Sequence, residues 1–180
     1  PLVVGDIVLE IQRKTLEKPE IYLGLETEVR ISEQIPIGES TGVDVPGQLW
    51  KRYHMEKASI EANLNTTVEM GMSHTEGTSQ NLFTYFAGGL VQNIPDRRQD
   101  GFVKRELSAG EYIVCRVEAE NFEDLVTVAL DQASKYLFGI WLPHHNLTTE
   151  PFSAEKYYRD LEGMACMEIW VKPLPLENKC

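Results

Sequence analysis

The chain carries the same predicted order of secondary structure twice, and this duplication limits its fold more than any other feature. In the first half, residues 20–31 alternate apolar and non-apolar positions with the period of a strand that has one buried face. Residues 67–74 and 81–92 are two further apolar stretches, which we interpret as paired strands joined by a turn at 75–78. An N-cap at Asp44 and a proline in the first turn predict a helix of about three turns before this pair, with apolar positions at Val45, Leu49, Trp50 and Tyr53.

The second half repeats this order after a polar stretch. Residues 93–106 interrupt all periodicity, which predicts a connector. Residues 111–118 have the pattern of a strand, and two more strands are predicted near Tyr157 and Ile169. The helix that follows residues 111–118 is expected to end at residues 141–145, because Pro143 disfavours helical geometry in the residue before it. Its apolar face is formed by Phe122, Leu125, Val126, Ala129, Leu130, Ala133 and Leu137.

We therefore predict one α+β domain over residues 1–180, with a first repeat at about 18–92, a connector at about 93–106 and a second repeat at about 107–176. Each repeat is a strand-helix-strand-strand unit that lays its helix on the apolar face of its strands. The repeats are expected to share one curved antiparallel sheet, with the helices on one face and a ligand cleft between the repeats.

The composition excludes several classes of function. With 42% hydrophobic and 25% charged residues over 180 positions, the chain is typical of a folded globular domain. Its net charge of −11 repels nucleic-acid phosphates, so we expect no direct nucleic-acid partner. The same charge attracts organic cations, although an acidic surface also serves simply to keep a protein in solution.

Cysteine spacing and hydropathy predict a cytoplasmic protein without a metal site. Cys115, Cys166 and Cys180 are an odd number and have no metal-type spacing. Adjacent His144 and His145 point apart on a strand, and no third ligand lies at a useful spacing. No apolar run reaches the roughly 18 residues that a membrane span needs, and no phosphate-binding, dinucleotide or catalytic motif is present. We therefore expect neither a membrane interaction nor a cofactor.

Strand parity brings acidic and aromatic residues together. In residues 164–172 the alternate positions 165, 167, 169 and 171 are all apolar, which leaves Glu168 and Trp170 on the opposite face. By the same alternation Glu155 lies beside Tyr157. Such a combination suits a lipophilic organic cation, because aromatic faces attract cations and a buried carboxylate supplies the counter-charge. The alternative is that these residues cover a solvated sheet face.

The repeat assigns further aromatic residues to matching positions. Tyr22 on the first strand occupies the place of Tyr112 in the second half. Aligning LFTYF with MEIWV sets Tyr85 at the position of Trp170. Trp50, Tyr53 and Trp141 are weaker candidates, because a tryptophan on a helix or at its end is more often a core residue than a ligand platform.

Short motifs give the chain a resemblance to a known family. Residues 107–114 (LSAGEYIV), 141–143 (WLP), 155–157 (EKY) and 168–174 (EIWVKPL) occur in the order and spacing of the second repeat of that family. Lys18-Pro19, Leu49-Trp50 and residues 68–73 match the first repeat more loosely. The chain thus resembles, over nearly its whole length, the GyrI-like domain, which is the effector-binding domain of AraC-type and multidrug-responsive regulators.

The resemblance implies a duplicated fold with a hydrophobic pocket between the copies and an acidic residue at its floor. By motif position that residue is Glu155, and Glu168 and Trp170 are expected to line the same pocket. Unlike the regulators, the chain is expected to act without a helix-turn-helix domain on either side. The complete set of predicted ligand-binding residues is Glu155, Tyr157, Glu168, Trp170, Tyr112, Tyr85, Trp50, Tyr53, Tyr22 and Trp141.

Three functions follow from these residues. The first is the binding of a small, lipophilic, cationic organic ligand, with Glu155 as the counter-charge. The second is hydrolysis of a reactive small molecule, with Glu155 and Tyr157 as general base and acid, as in the hydrolases that some family members resemble. The third is inhibition of a DNA-binding enzyme or another regulatory protein partner by an acidic surface that imitates nucleic acid. The first accounts for the most residues.

Overall fold

The chain divides into two units in the computed structural model, and both are sheets with a helix packed on one face. The first unit contains Pro1–Pro19 and Ser108–Cys180, and the second contains Glu20–Leu107. The structure describes residues 1–30, 45–75, 82–93, 101–158 and 165–176. The strands are β1 (Leu2–Val4), β2 (Ile7–Leu16), β3 (Glu20–Arg30), β4 (Leu64–His74), β5 (Leu82–Val91), β6 (Val103–Leu107), β7 (Gly110–Ala119), β8 (Leu147–Thr149), β9 (Phe152–Tyr158), β10 (Ala165–Val171) and β11 (Pro173–Pro175).

The second unit has the strand order β4-β5-β3-β6, and every pairing in it is antiparallel. Its helix α1 spans Val45–Glu56 and is followed by two short 3-10 turns, Lys57–Ser59 and Glu61–Asn63. Leu49 and Tyr53 of α1 pack against Leu23 and Leu25 of β3, which are four of the eight buried residues in the core of this unit. The alternation predicted for the first strand therefore has the expected buried face.

The first unit has the strand order β1-β2-β7-β10-β9, again antiparallel throughout, with a separate ribbon formed by β8 and β11. Residues 122–144 form one continuous helical stretch, α2, in which π-helical turns at Leu125–Ala129 and Leu137–Trp141 alternate with α-helical turns. The Asn121 side chain caps it by accepting a hydrogen bond from the backbone N–H of Asp124 at 2.8 Å. The core lies between α2 and the sheet, with Leu125, Ala129, Ala133 and Leu137 on the helix and Ile113, Val117, Met167 and Ile169 on the strands.

The order strand-helix-strand-strand occurs once in each unit, as β3-α1-β4-β5 and as β7-α2-β9-β10. The predicted α+β class with antiparallel strands is confirmed, and so is the predicted pairing of β4 with β5. Strands β1 and β2 were not predicted, and β6 lies largely within residues 93–106, which the sequence predicts as a connector. The predicted N-cap Asp44 and most of the turn at 75–78 lie outside the described residues.

No helix in the described ranges is both long enough and apolar enough to cross a membrane.

Candidate functional site

The pairing of β9, β10 and β7 places a charged and aromatic cluster on the sheet face opposite α2. In β10, Glu168 is paired with Lys156 of β9, and Trp170 is paired with Val114 of β7. Paired residues of antiparallel strands point to the same face of the sheet. Since Ile169 packs in the core under α2, its neighbours Glu168 and Trp170 face away from the helix. The cluster, called here the Glu168 network, comprises Lys14, Tyr112, Lys156, Tyr158, Glu168 and Trp170.

Glu168 is the centre of this network and is hydrogen-bonded at both oxygens. The Tyr158 hydroxyl donates to its Oε1 at 2.5 Å, and the Trp170 indole N–H donates to the same oxygen at 3.2 Å. The Lys14 ammonium donates to Oε2 at 3.0 Å. Burial opposes ionisation of this carboxyl, but the hydrogen bonds from Tyr158 and Lys14 and the charge of Lys14 outweigh it and hold the pKa of Glu168 below its usual value. Glu168 is therefore a buried carboxylate that is ionised at neutral pH.

Trp170 already has a cation on its ring. The buried Lys156 ammonium lies 3.7 Å from the ring centroid, well inside the range of about 6 Å for a cation–π contact. Lys14 is more distant, at 5.9 Å. Tyr112 meets the same indole edge to face, with ring centroids 5.2 Å apart. Trp170 thus contacts the Tyr112 ring, the Glu168 carboxylate and the Lys156 ammonium.

Tyr112 is fully buried, and its hydroxyl donates to the backbone oxygen of Ser108 at 2.6 Å. The Lys172 ammonium donates to the Ser108 hydroxyl and lies 5.8 Å from the Tyr112 ring. These contacts fix the ring of Tyr112 against Trp170 and place a further cation at the edge of the network.

Glu155 and Tyr157 lie on the other face of the same sheet, which corrects the prediction that Glu155 lines one pocket with Glu168 and Trp170. Glu155 is paired with Ile169, and Tyr157 with Met167, both of which belong to the core under α2. The Tyr157 hydroxyl donates to Glu155 Oε2 at 2.6 Å, and the Tyr157 ring packs against Phe122 of α2 at 6.2 Å. Burial raises the pKa of Glu155, and the hydrogen bond from Tyr157 only partly offsets this.

Of the remaining predicted aromatics, Tyr22, Tyr53 and Tyr85 are buried, and Trp50 and Trp141 are partly buried. Trp50 donates its indole N–H to the Tyr85 hydroxyl at 2.8 Å. Tyr85 is buried on the sheet face that packs against α1, and Tyr53 is a buried residue of α1 itself. Tyr22, on the opposite face, is fully buried and donates to Glu20 at 2.9 Å. Trp141 packs partly against the core of the first unit and stacks on the exposed His145 ring at 3.8 Å.

The registers also identify which positions of the two units correspond. We align β3 with β7 by placing Tyr22 at the position of Tyr112. The β3–β5 pair Gly24–Gly88 then corresponds to the β7–β10 pair Val114–Trp170. In the same way Glu26–Phe86 corresponds to Arg116–Glu168. Gly88 therefore stands at the position of Trp170, and the prediction that Tyr85 does so is wrong. On the neighbouring strand Met72, which is paired with Phe86, takes the place of Lys156. The second unit thus has Met72, Phe86 and Gly88 where the first has Lys156, Glu168 and Trp170.

Three members of the network were missed from the sequence, namely Lys14, Lys156 and Tyr158. The signal for two of them was present, because Lys156 and Tyr158 alternate with Glu155 and Tyr157 and so must share the other face of β9. Lys14 lies on β2, whose pairing with β7 joins residues about a hundred positions apart in the sequence. No local pattern identifies such a contact.

The two units define the class of this protein as a duplicated α+β domain, in which the first unit holds an ionised carboxylate beside a buried indole. Within that class, residues 11–172 match the model of the GyrI-like small molecule binding domain, and the chain belongs to this family. No curated protein matches the sequence significantly.

Three solved structures with a similar fold are distant from this chain in sequence. The SAV2435 protein bound to tetraphenylphosphonium is similar with a TM-score of 0.67 and 17% identity, over 93% of this chain and 96% of that one. An integron cassette protein from the mobile metagenome of Vibrio cholerae has a TM-score of 0.63 and 13% identity, over 94% and 99% of the two chains. The C-terminal domain of EcmrR has a TM-score of 0.58 and 12% identity, over 93% and 99%. These likenesses agree with the fold assignment.

Proposed function

We propose that the chain binds a small, lipophilic organic cation at the Glu168 network, with the Glu168 carboxylate as counter-charge and the rings of Trp170 and Tyr112 as walls. The observation that carries this proposal is the Lys156 ammonium over the Trp170 ring, 3.7 Å from its centroid. A cation of the protein occupies a position beside an ionised carboxylate, and a cationic ligand could use the same position. Cation–π attraction strengthens when both groups are removed from water, as they are here.

The ligand class follows from the charge and the chemistry of the network. Glu168 keeps its negative charge although it is buried, so a ligand that replaces its cationic partners must itself bring positive charge. The indole and phenol rings favour a ligand with a flat or aromatic surface. Tetraphenylphosphonium, the ligand of the SAV2435 protein, has one positive charge and four phenyl rings and is a suitable probe.

Titration calorimetry with tetraphenylphosphonium on two matched glutamate variants tests the proposal. We expect Glu168→Gln to weaken binding by about tenfold or more, because it removes the buried counter-charge while keeping the shape of the side chain. Glu155→Gln makes the same chemical change on the helix-facing side of the sheet and is expected to leave the affinity nearly unchanged. Trp170→Leu is expected to weaken binding as well, because the stacking surface is lost.

Absence of binding to the native protein would refute the proposal for this ligand class. A loss of affinity in Glu155→Gln with none in Glu168→Gln would move the site to the helix-facing side. That result would favour the Glu155–Tyr157 pair, which is hydrogen-bonded at 2.6 Å, and with it the hydrolase alternative.

We also place this binding in the cytoplasm, on the basis of the cysteines. Cys115 and Cys166 are free and buried, and burial raises the pKa of Cys115 to about 12 and that of Cys166 to about 11. Such thiols stay protonated and are typical of proteins in a reducing compartment.

A further inference from the structure

We propose that Lys156 is a specificity-determining residue that competes with cationic ligands for the Trp170 ring. Its ammonium lies 3.7 Å from the ring centroid, at the position the proposed function gives to the ligand's positive charge. The inference rests on that function but adds a separate claim: the site carries its own competitor, which lowers its preference for cations over neutral molecules of similar shape.

Strand pairing holds Lys156 at this position. Its Cα is opposite Glu168 in the β9–β10 register, so the side chain must rise on the face that carries Trp170. A group attached to the chain has a high effective concentration at a site within its reach. Since Lys156 is only 3% exposed, its ammonium cannot leave the ring for bulk water without a rearrangement of the side chain.

Lys14 has a different role in the network. Its side chain is 41% exposed, and it contacts the carboxylate of Glu168 at 3.0 Å, while its distance from the Trp170 centroid is 5.9 Å. A half-exposed lysine can swing into solvent at small cost. Lys14 therefore balances the charge of Glu168, whereas Lys156 covers the aromatic surface that a ligand needs.

Two ligands that differ mainly in charge separate this effect from a steric one. Tetraphenylphosphonium is a cation, and triphenylphosphine oxide is a neutral molecule with a similar aromatic surface. In Lys156→Met the side chain keeps its length but loses its charge, so we expect the affinity for tetraphenylphosphonium to rise about tenfold relative to that for triphenylphosphine oxide. Lys156→Arg keeps a cation that stacks on the indole, so the ratio of the two affinities is expected to stay as in the native protein.

Lys135→Met is the matched control, because Lys135 is an exposed lysine of α2 that pairs with Asp131. It makes the same change in net charge away from the network and is expected to leave both affinities unchanged. Calorimetry on all four proteins gives the affinities, and thermal melts monitored by circular dichroism show that each variant folds.

The outcomes distinguish this inference from the proposed function. If the native protein binds tetraphenylphosphonium and Lys156→Met changes both affinities equally or not at all, Lys156 is not a competitor and the proposed function stands. If Lys156→Arg raises the ratio as much as Lys156→Met, the effect is steric and the inference is overturned. If the native protein does not bind the phosphonium, the proposed function fails and this inference fails with it.

Discussion

Two glutamates on neighbouring strands, Glu155 and Glu168, illustrate how the environment of a residue decides its charge. Glu168 is buried and Glu155 is partly buried, and the loss of contact with water disfavours the ionised form of each. Glu168 accepts hydrogen bonds from Tyr158, Lys14 and Trp170, and these hold its pKa below the usual value. Glu155 accepts one from Tyr157, and its pKa remains raised. A glutamate on one face of the sheet therefore binds cationic groups in its ionised form, whereas a glutamate on the other face resists ionisation.

The lowered pKa of Glu168 predicts how its contribution to stability depends on pH. An acid with a lower pKa in the folded state stabilises the protein above its unfolded pKa, here near 4.5, and this contribution is lost as the pH falls through the folded value. We expect Glu168→Gln to lower the free energy of unfolding at pH 7 and to approach the native value as the pH falls below the folded-state pKa of Glu168. Urea unfolding followed by circular dichroism at several pH values measures the difference. A deficit independent of pH would show that hydrogen-bond geometry, and not charge, is responsible.

Glu155→Gln is the companion variant and is expected to have the opposite dependence. Because the pKa of Glu155 is raised on folding, its ionisation penalises the folded state as the pH rises through the folded value. The glutamine keeps an oxygen that can accept from Tyr157 and carries no charge. The free energy of unfolding of this variant should match that of the native protein at low pH and equal or exceed it at neutral pH.

At the scale of elements, alternation along a single strand correctly predicted which side chains share a face. The register between paired strands could not be predicted in this way. Parity alone assigned Glu168 and Trp170 to one face of β10, and the structure agrees. Parity could not decide which side chains of β9 lie on the same face as Glu168 and Trp170, because the register between strands depends on contacts across the sheet. The family motif favoured the face of Glu155, whereas pairing brings Lys156 opposite Glu168.

The assignment of Tyr85 failed for a related reason. An alignment of side-chain patterns has nothing to align at Gly88 and Gly89, so the comparison of β5 with β10 was shifted by three residues. The duplication itself was predicted correctly because it depends on the order of elements and not on register. Strand β2 was missed, since its pairing with β7 is nonlocal, and β1, which pairs with β2, was missed with it.

Close approach of β3 and β5 predicts a strong effect of one glycine. A Cβ at Gly24 would lie 2.0 Å from the backbone oxygen of Ala87 and 2.5 Å from Cα of Gly88, neither of which can move without distorting the sheet. We expect Gly24→Ala to cost about 1–3 kcal/mol of unfolding free energy, the range for overpacking. Gly139 in α2 has no heavy atom within 4 Å of such a Cβ, so Gly139→Ala is expected to stabilise by about 0.5–1 kcal/mol. Urea denaturation of both variants checks the pair, and equal effects would contradict the close approach.

At the scale of the whole molecule, the net charge of −11 adds a long-range attraction for any cationic ligand. Salt screens this attraction over a Debye length of about 10 Å at 0.1 M, while contacts inside the buried network are screened much less. We expect a several-fold loss of affinity for tetraphenylphosphonium between low and high sodium chloride, and no comparable change for triphenylphosphine oxide. Calorimetry across a salt series gives both values. A response of the neutral ligand equal to that of the cation would show that salt acts on the protein and not on the attraction.

Composition and motif order were sufficient to predict the family over nearly the whole chain, and the match over residues 11–172 confirms it. They could not predict the partners of the buried charges. Lys14, Lys156 and Tyr158 are ordinary residue types whose importance depends on three strands coming together. The acidic surface also leaves the protein-inhibitor alternative as a prediction.

The second unit offers an internal reference for what the first unit's charges cost. At the positions of Lys156, Glu168 and Trp170 it has Met72, Phe86 and Gly88, and its sheet forms with the same order of elements. Apolar residues at such positions generally stabilise a fold at least as well as buried charges do, because no hydration is lost. These three positions can therefore be filled without charge, although the second unit keeps an ion pair elsewhere on this face, between Arg105 and Glu26, which is paired with Phe86. Charge at these three positions is therefore a property of one copy of the duplicated unit and is not needed for the order of elements that both copies share.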